Sequence, residues 1–227
     1  MAHKKIFGIH PFYLLTLMYV VVTMVLGMII NNGLIIFLGW NIVLATLVFG
    51  LAQLFVNYRQ HQYPFWISYL LFIIFVLFFP NTFYLLTDTI HFQAYGFFAD
   101  YPSVYALMME DWIVFTVVTV GALYGVKLGI SSLDLIRDVH YEFIKKHETL
   151  YIILLFILSS TGIYLGRFIR LNSWNFFDLE AIALGIINHL DFFLGFVMMF
   201  TLIHGIGYFL FSTTHEIKYN QTIESEE

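Results

Sequence analysis

The sequence has no cysteine, few charges and no run of basic residues. Without a thiol, these residues form no disulfide, no thiolate metal site and no cysteine nucleophile. Only 11% of the residues are charged, compared with roughly 25% in a soluble domain. The lack of basic runs argues against nucleic-acid binding, and HExxH, GxSxG and P-loop motifs are also missing. The composition is instead 60% hydrophobic and 20% aromatic, which is typical of an integral membrane protein.

Six apolar runs are close to the roughly 20 residues that a helix needs to cross a bilayer. They cover about residues 11–30, 34–56, 65–86, 112–133, 150–166 and 182–211. No small-residue cleavage site follows the first run, so we expect a retained helix and not a signal peptide. Neither linkers nor internal repeats separate the runs. The sequence therefore predicts an all-α membrane protein, with residues 1–227 forming one six-transmembrane-helix bundle.

The basic residues predict the orientation of this bundle. With the N-terminus in the cytoplasm, only Arg167 and Arg170 lie on the outer side. The other eight basic residues then lie on the cytoplasmic side: Lys4, Lys5, Arg59, Lys127, Arg137, Lys145, Lys146 and Lys218. The opposite orientation reverses this ratio. We therefore expect both termini to be cytoplasmic.

Two segments continue beyond the predicted spans. Residues 92–111 contain no basic residue and many aromatic ones, which predicts a loop on the outer membrane surface with a short interfacial helix near Ser103–Met109. Residues 133–148 continue the fourth helix into the cytoplasm. We expect three charged side chains of this extension to be exposed, namely Asp134, Arg137 and Asp138. Lys127, inside the fourth span, is expected to reach the inner interface without a partner.

Glycines recur four residues apart in the fourth and fifth spans. Gly121, Gly125 and Gly129 form a double GxxxG pattern, and Gly162 and Gly166 form a second pattern. Small residues at this spacing let helix backbones approach closely in lipid. The pattern favours packing inside the bundle, and a homodimer through these helices is the alternative.

A polar stripe ends the third predicted span. Beyond Pro80, the polar residues Asn81, Tyr84, Asp88 and His91 recur at helical spacing. At about 100° per residue they fall within an arc of roughly 80°, so one helix face carries all four. An amide, a phenol, a carboxylate and an imidazole on one face at a membrane surface indicate part of a site.

The predicted topology brings polar residues of other spans to the same level. The fifth span ends near Arg167, Arg170 and Asn172, and the second span contributes Asn41. The sixth span contributes His189 and Asp191. Because polar residues within spans usually face the bundle interior, we expect Asn41, His189 and Asp191 to point inward.

Two interpretations fit these residues. The first is an ion-pair network that closes the outer end of the bundle, with Arg167 and Arg170 paired to Asp88, Asp178 or Asp191. The second is a site for an anionic lipid or lipid-linked head group, which the arginines bind while Asp88 and His91 act as an oriented general base. In this second case the substrate-binding residues are Arg167, Arg170, Asn81, Tyr84, Asn172 and Asn41.

Other chemistries fit less well. Asp88, His91, His189 and Asp191 are candidate ligands for zinc or another divalent ion. A bis-histidine haem would use His91 and His189, and a proton or ion relay would involve His204, deeper in the sixth span. A lone His204 is more readily explained as a hydrogen-bonded interior histidine. No cofactor is firmly implied.

The chain resembles a family of uncharacterised bacterial multi-pass membrane proteins that contain a domain of unknown function. The resemblance rests on three segments: Trp40-Asn41, Phe79-Pro80-Asn81 through His91, and Gly166-Arg167-Phe168 through Asn172-Ser173-Trp174. It implies a helical bundle in a bacterial cytoplasmic membrane and no particular activity.

The leading hypothesis is thus an integral membrane protein whose polar outer site binds or processes an anionic lipid or lipid-linked head group. The main alternative is a non-catalytic membrane scaffold or accessory subunit. A metal-dependent membrane hydrolase or an ion or proton transporter fits less well. The sequence leaves open whether the protein is an enzyme. The expected partners are the lipid bilayer and an anionic lipid or lipid-linked ligand, with a homodimer through the GxxxG helices as an alternative, and without nucleic acid.

Overall fold

The computed structural model of the chain describes residues 10–61, 64–101, 104–144, 147–170 and 179–213. Within these residues, six helical stretches are long and apolar enough to cross a membrane: Pro11–Ile29, Gly33–Gln60, Phe65–Ala94, Met109–Asp138, Glu148–Ile169 and Leu190–Phe211. The predicted all-α, six-span membrane fold is confirmed. The two ends of the bundle are called the Asp88 end and the Arg137 end, after a charged residue near each.

The α-helices are α1 (Pro11–Ile29), α2 (Gly33–Gln60), α3 (Phe65–Phe78), α4 (Pro80–Tyr84), α5 (Met109–Ile144), α6 (Glu148–Tyr164), α7 (Leu179–Ile187) and α8 (Leu190–Phe211). A 3-10 segment (Leu85–Ala94) follows α4, a π segment (Leu165–Ile169) follows α6, and strands β1 (Phe98–Asp100) and β2 (Val104–Tyr105) precede α5. Helices α2 and α5 pack against each other at the centre, α1 packs on α2, and α6 packs on α8.

Aromatic side chains fill the centre of the bundle. Phe75, Phe79 and Phe83 follow one face of the third span, and all three are completely buried. They pack with residues from α2, α5, α6 and α8, including Phe55 and Phe156. By contrast, α1 and α8 leave most of their apolar side chains exposed on the outside of the bundle. Such an exposed apolar surface suits contact with lipid acyl chains.

The α-helix of the third span is interrupted at Phe79, and a second α-helical segment begins at Pro80. Proline has no N–H, so it cannot donate a helical hydrogen bond. Polar side chains supply donors at this point: the Asn81 amide donates to the Phe78 carbonyl at 2.8 Å, and the Thr82 hydroxyl donates to the Phe79 carbonyl at 2.8 Å. Asn81, predicted to bind substrate, therefore bonds to the backbone beside the proline, as membrane helices require when their ladder is interrupted.

The glycine patterns pack against this irregular span. A Cβ atom on Gly125 would lie 2.6 Å from the Thr82 carbonyl oxygen, and one on Gly162 would lie 2.6 Å from Pro80 Cγ. Gly129 likewise faces Thr82. Real Cβ atoms do not approach so closely, so only glycine allows these contacts. Packing inside the bundle, the favoured interpretation of the glycine patterns, is confirmed at these three positions.

The loop after the third span differs from the prediction. Strands β1 and β2 form an antiparallel hairpin in which Phe98 opposes Tyr105, with their rings stacked at 4.9 Å. The interfacial helix expected near Ser103–Met109 is wrong, because β2 occupies Val104–Tyr105 and α5 begins only at Met109. Facing aromatic residues stabilise a hairpin of this kind.

The sixth predicted span, residues 182–211, is divided in two. Helix α7 ends at Ile187, and α8 begins at Leu190. Between them, the N–H of His189 bonds to the Ile186 carbonyl at 3.2 Å, which tightens the chain into a turn. Of α7 and α8, only α8 is long enough to cross the membrane.

At the Arg137 end, α5 continues as one helix to Ile144, so the predicted continuation of the fourth helix is confirmed up to that residue. The expected exposure of Asp134 and Arg137 is wrong, because only 7% and 5% of these residues are exposed. Asp138 is exposed as predicted. The end of α8 lies beside this part of α5 and covers it.

Side chains from α6 and α8 explain this burial. Asp134 accepts a hydrogen bond from Ser212 Oγ at 2.8 Å. Arg137 Nη1 donates to Tyr208 Oη at 2.8 Å, and Arg137 also forms an ion pair with Glu148. The three helices are therefore tied together by charge-assisted hydrogen bonds.

Lys127 has a partner, contrary to the prediction. Its Nζ donates to the carbonyl of Phe211, the last residue of α8, at 3.0 Å. The last carbonyls of a helix have no intrahelical partner and carry a partial negative charge. Lys127 of α5 therefore supplies a cationic donor to a carbonyl at the end of α8 and links the two helices.

The close approach of α5 to α4 gives a first prediction. Gly125→Ala places a Cβ against a backbone oxygen that cannot move cheaply, so we expect it to destabilise the protein by about 1–3 kcal/mol. Thermal unfolding of the detergent-purified protein, followed by circular dichroism, measures this loss. Gly195→Ala is the matched control, since no atom lies within 4 Å of a Cβ at that position of α8. An equal effect of the two substitutions would contradict the close packing.

Candidate functional site

A buried carboxylate joins three spans at the Asp88 end. The Asp88 side chain is completely buried. Its Oδ1 accepts a hydrogen bond from Arg167 Nη2 at 2.5 Å, and its Oδ2 accepts one from Asn41 Nδ2 at 3.0 Å. Asn41 comes from α2 and Arg167 from the π segment after α6. The predicted inward orientation of Asn41 is confirmed, and both oxygens of the carboxylate are engaged.

The position of Asn41 along α2 indicates that this ion pair lies below the membrane surface. Asn41 comes eight residues after Gly33, the start of α2. It is therefore about 12 Å inside a helix that is about 42 Å long. Since the hydrocarbon core of a bilayer is about 30 Å thick, a centred α2 places Asn41 and Asp88 within it, some 6 Å below its edge. An unpaired ion at that depth is costly, so Asp88 and Arg167 need each other.

The 3-10 segment decides which side chains face which helix. It has about three residues per turn, so residues three apart stand in line. Leu85 and Asp88 are in line and both are buried. Tyr84 and Thr87 are in line on the next face, and Arg167 contacts both. The sequence predicted Tyr84 and Asp88 on one face because an α-helix with about 100° per residue was assumed. The tighter 3-10 turn instead places Tyr84 on a different face from Asp88.

Arg167 is held on three sides. Its Nε donates to Thr87 Oγ1 at 2.8 Å, and its Nη2 donates to both Thr87 and Asp88 at 2.5 Å. Its Cζ lies 4.4 Å from the centroid of the Tyr84 ring, a cation–π contact. Thr87 in turn donates to the Tyr84 carbonyl at 2.6 Å. Among the described residues, none accepts a hydrogen bond from Nη1, and 15% of the side chain is exposed.

The π segment changes the geometry around Arg167. Residues Leu165–Ile169 form wider turns than an α-helix, and such segments recur at functional sites. The segment ends at Arg170, whose φ of 61° lies in the left-handed region. A non-glycine residue in this conformation carries local strain. Arg170 is exposed, three residues beyond the half-buried Arg167.

The predicted site residues therefore fall into groups. Asp88, Asn41, Arg167 and Tyr84 lie together as expected from the sequence. His91 is half-buried, and no hydrogen bond joins it to Asp88. Asn172 lies outside the described residues.

Two predicted residues do not join the centre. His189 and Asp191 were expected to point inward, and this is wrong because both are exposed. The turn between α7 and α8 places them at the rim of the bundle. In the described part of the chain, no group of three or more His, Asp and Glu side chains could hold a metal ion. The candidate metal set Asp88, His91, His189 and Asp191 is thus not assembled in this structure.

His204 is an interior histidine, as expected. It is completely buried, and its ring stacks on Phe83 with centroids 3.8 Å apart. Its Nδ1 lies 2.7 Å from the Phe200 carbonyl, which only accepts hydrogen bonds, so Nδ1 carries the proton. Its Nε2 then accepts from Ser159 Oγ at 2.8 Å in the neutral ring. Both nitrogens are satisfied inside the protein.

Sequence reasoning missed Thr87 and the network around Arg137. Thr87 precedes Asp88 directly, and on a regular helix the two side chains point about 100° apart. Its role depends on α6 lying against that neighbouring face. Arg137 was assigned to a solvated helix end because its partners, Tyr208 and Glu148, come from other helices. A signal was present in both cases: each polar side chain lies in or next to an apolar span, where an unpaired polar group is costly.

The fold and the site together define the class of protein. It is a six-span integral membrane protein in which a buried Asp–Arg pair links the second, third and fifth spans. Residues 40–206 match the family described as protein of unknown function, DUF1361, and the chain belongs to that family. The resemblance to a family of uncharacterised proteins is therefore confirmed. No curated protein and no solved structure matches the chain.

The buried pair gives a second prediction. Asp88→Asn or Arg167→Gln alone leaves an unpaired ion in the hydrocarbon layer, and each is expected to destabilise the protein by about 3 kcal/mol or more. The double variant removes both charges. Its loss should be smaller than the sum of the single losses by at least about 1 kcal/mol. Denaturant unfolding in detergent measures all three, and strictly additive losses would contradict a direct pair.

Proposed function

We propose that this membrane protein binds the phosphate-bearing head group of an anionic lipid or lipid-linked molecule at the Asp88 end. The observation that supports it is the state of Arg167, whose Nε and Nη2 are fixed by Thr87 and Asp88 while Nη1 has no acceptor among the described residues. A rigidly held guanidinium with a free nitrogen is a preorganised donor for a phosphate oxygen. Arg170, exposed three residues further along, supplies a second guanidinium.

The residues of the proposed site have two roles, positioning Arg167 and contacting the head group. Asp88, Thr87 and Tyr84 position Arg167, and Asn41 satisfies the second oxygen of Asp88. Arg167 and Arg170 contact the head group. Arg167 is near the depth of the upper acyl chains, and Arg170 lies closer to the helix end. At these two depths the arginines can contact the phosphate of a lipid that enters the site from the membrane. The location that fits is a bacterial cytoplasmic membrane, with this end facing outward.

Catalysis would depend on His91 more than on Asp88. A general base must reach its proton directly, and both oxygens of Asp88 are already hydrogen-bonded inside the protein. His91 stands in line with Asp88 on the 3-10 segment, and its ring is only half-buried. Binding is therefore the function the geometry supports best, and proton transfer by His91 is the step that an enzymatic role would require.

A scaffold or accessory subunit is the second candidate. The observation in its favour is that the Asp88–Arg167 pair also closes the end of the bundle, where it links α2, the third span and α6 without any ligand. In that case Arg170 has no ligand to bind. The two candidates therefore differ in what Arg170 does.

The orientation gives a third prediction. The chain contains no cysteine, so a single introduced cysteine reports its own side of the membrane. Tyr101→Cys, at a position that is 79% exposed in the hairpin of the Asp88 end, should react with a membrane-impermeant maleimide in intact bacterial cells. Gln60→Cys, at the far end of α2, should react only after the cells are opened. The reverse labelling pattern would place the site in the cytoplasm.

The proposed ligand gives a fourth prediction. Arg170→Gln removes one charge-assisted contact, so it should weaken binding of an anionic phospholipid about tenfold or more. Native mass spectrometry of the purified protein with added dioleoyl phosphatidylglycerol measures the dissociation constant. Arg59→Gln is the matched control, an exposed arginine of α2 at the opposite end. Unchanged binding in Arg170→Gln would favour the scaffold.

A further inference from the structure

We propose further that the head group bound at the Asp88 end is a singly charged phosphodiester, and that a phosphomonoester lipid is bound more weakly. This inference rests on the proposed function and narrows its ligand. Three observations carry it: the donors that Arg167 has left, the charges around the site, and the depth of the ion pair.

Arg167 cannot bind a phosphate through two parallel hydrogen bonds in this arrangement. A guanidinium does so through Nε and one terminal nitrogen, or through both terminal nitrogens. Nε donates to Thr87, and Nη2 donates to Thr87 and Asp88. The remaining nitrogen, Nη1, can contact one phosphate oxygen. A bidentate contact from each of the two arginines is therefore not available, and only Arg170 can bind the phosphate through two nitrogens.

The charges of the immediate site allow one negative charge on the ligand. Arg167 and Arg170 contribute two positive charges, and Asp88 contributes one negative charge, which leaves a net charge of +1. A phosphodiester carries one negative charge and neutralises the site. A phosphomonoester carries about 1.5 to 2 negative charges at neutral pH and leaves an excess.

The surroundings increase this preference. No lysine lies at the Asp88 end within the described residues, and the arginines there are Arg167 and Arg170. Besides Asp88, the described acids of this end are Asp100, Glu110, Asp111, Glu180 and Asp191. Repulsion by these carboxylates grows in proportion to the charge of the ligand.

The depth of the pair adds a further reason. Arg167 meets Asp88 inside the hydrocarbon layer, where charges are poorly screened and an uncompensated charge is costly. A second negative charge on the ligand would lie near the buried Asp88 without a cation of its own. The same depth favours a lipid over a soluble phosphodiester, because the acyl chains carry the phosphate to the level of Arg170.

A comparison of lipids with identical acyl chains tests the inference. The purified full chain is titrated by native mass spectrometry with dioleoyl phosphatidylglycerol, dioleoyl phosphatidic acid and soluble dimethyl phosphate. We expect phosphatidylglycerol to bind about tenfold more tightly than phosphatidic acid, and dimethyl phosphate not to compete. Removing two rim acids in Glu180→Gln/Asp191→Asn should reduce the lipid preference severalfold, because phosphatidic acid gains more from the lost repulsion than phosphatidylglycerol.

The outcomes separate this inference from the proposed function. If phosphatidic acid binds as tightly as phosphatidylglycerol, and Arg170→Gln weakens both, the head-group site stands and the phosphodiester preference is overturned. If neither lipid depends on Arg170, both proposals are overturned. If dimethyl phosphate competes with phosphatidylglycerol at equal concentration, the ligand is a soluble phosphodiester and the assignment to a lipid is overturned.

Discussion

The Asp88 carboxylate inside the hydrocarbon layer is the constraint on which the rest of this end of the bundle depends. A buried carboxylate needs a cation and donors for both oxygens, since no water replaces them there. Arg167 and Asn41 meet that need from two other spans. To deliver Arg167 to this depth, α6 must approach the third span closely, and Gly162 against Pro80 permits the approach. The glycine packing and the ion pair therefore both depend on the close approach of α6 to the third span.

The irregular helices follow from the same constraint. Thr87 and Asp88 are consecutive, yet Arg167 contacts both, and Asp88 also faces α2. The 3-10 turn stacks Tyr84 under Thr87, so one face presents a ring and a hydroxyl to the guanidinium while Asp88 stays on the inner face. On the other side, the π segment carries Arg167, and the left-handed Arg170 ends the helix immediately afterwards. The helices thus depart from regular α-helical geometry at the positions where Asp88 and Arg167 meet.

The sequence predicted two kinds of feature. The first depends on the summed hydrophobicity of many residues, and the second depends on the small number of charged residues. Long apolar runs predicted the six spans because hydrophobic burial adds up along each run. Two arginines left for one end predicted that Arg167 would meet Asp88. Sequence reasoning failed where the environment of a residue depends on a neighbouring element. Arg137 is buried because Tyr208 and Glu148 lie beside it. His189 is exposed because the chain turns after α7. The 3-10 and π segments likewise depend on tertiary contacts.

The two ends of the bundle treat their arginines differently. Arg137 has 5% of its surface exposed, and its contacts with Tyr208 and Glu148 lie between helices, which suits a purely structural tie. Arg167 is fixed as firmly but has 15% of its side chain exposed, and its neighbour Arg170 is exposed in a strained conformation. A structural tie does not require a second, exposed cation or backbone strain beside it. An anionic ligand would use the exposed cation, which is why we propose the binding function for the Asp88 end.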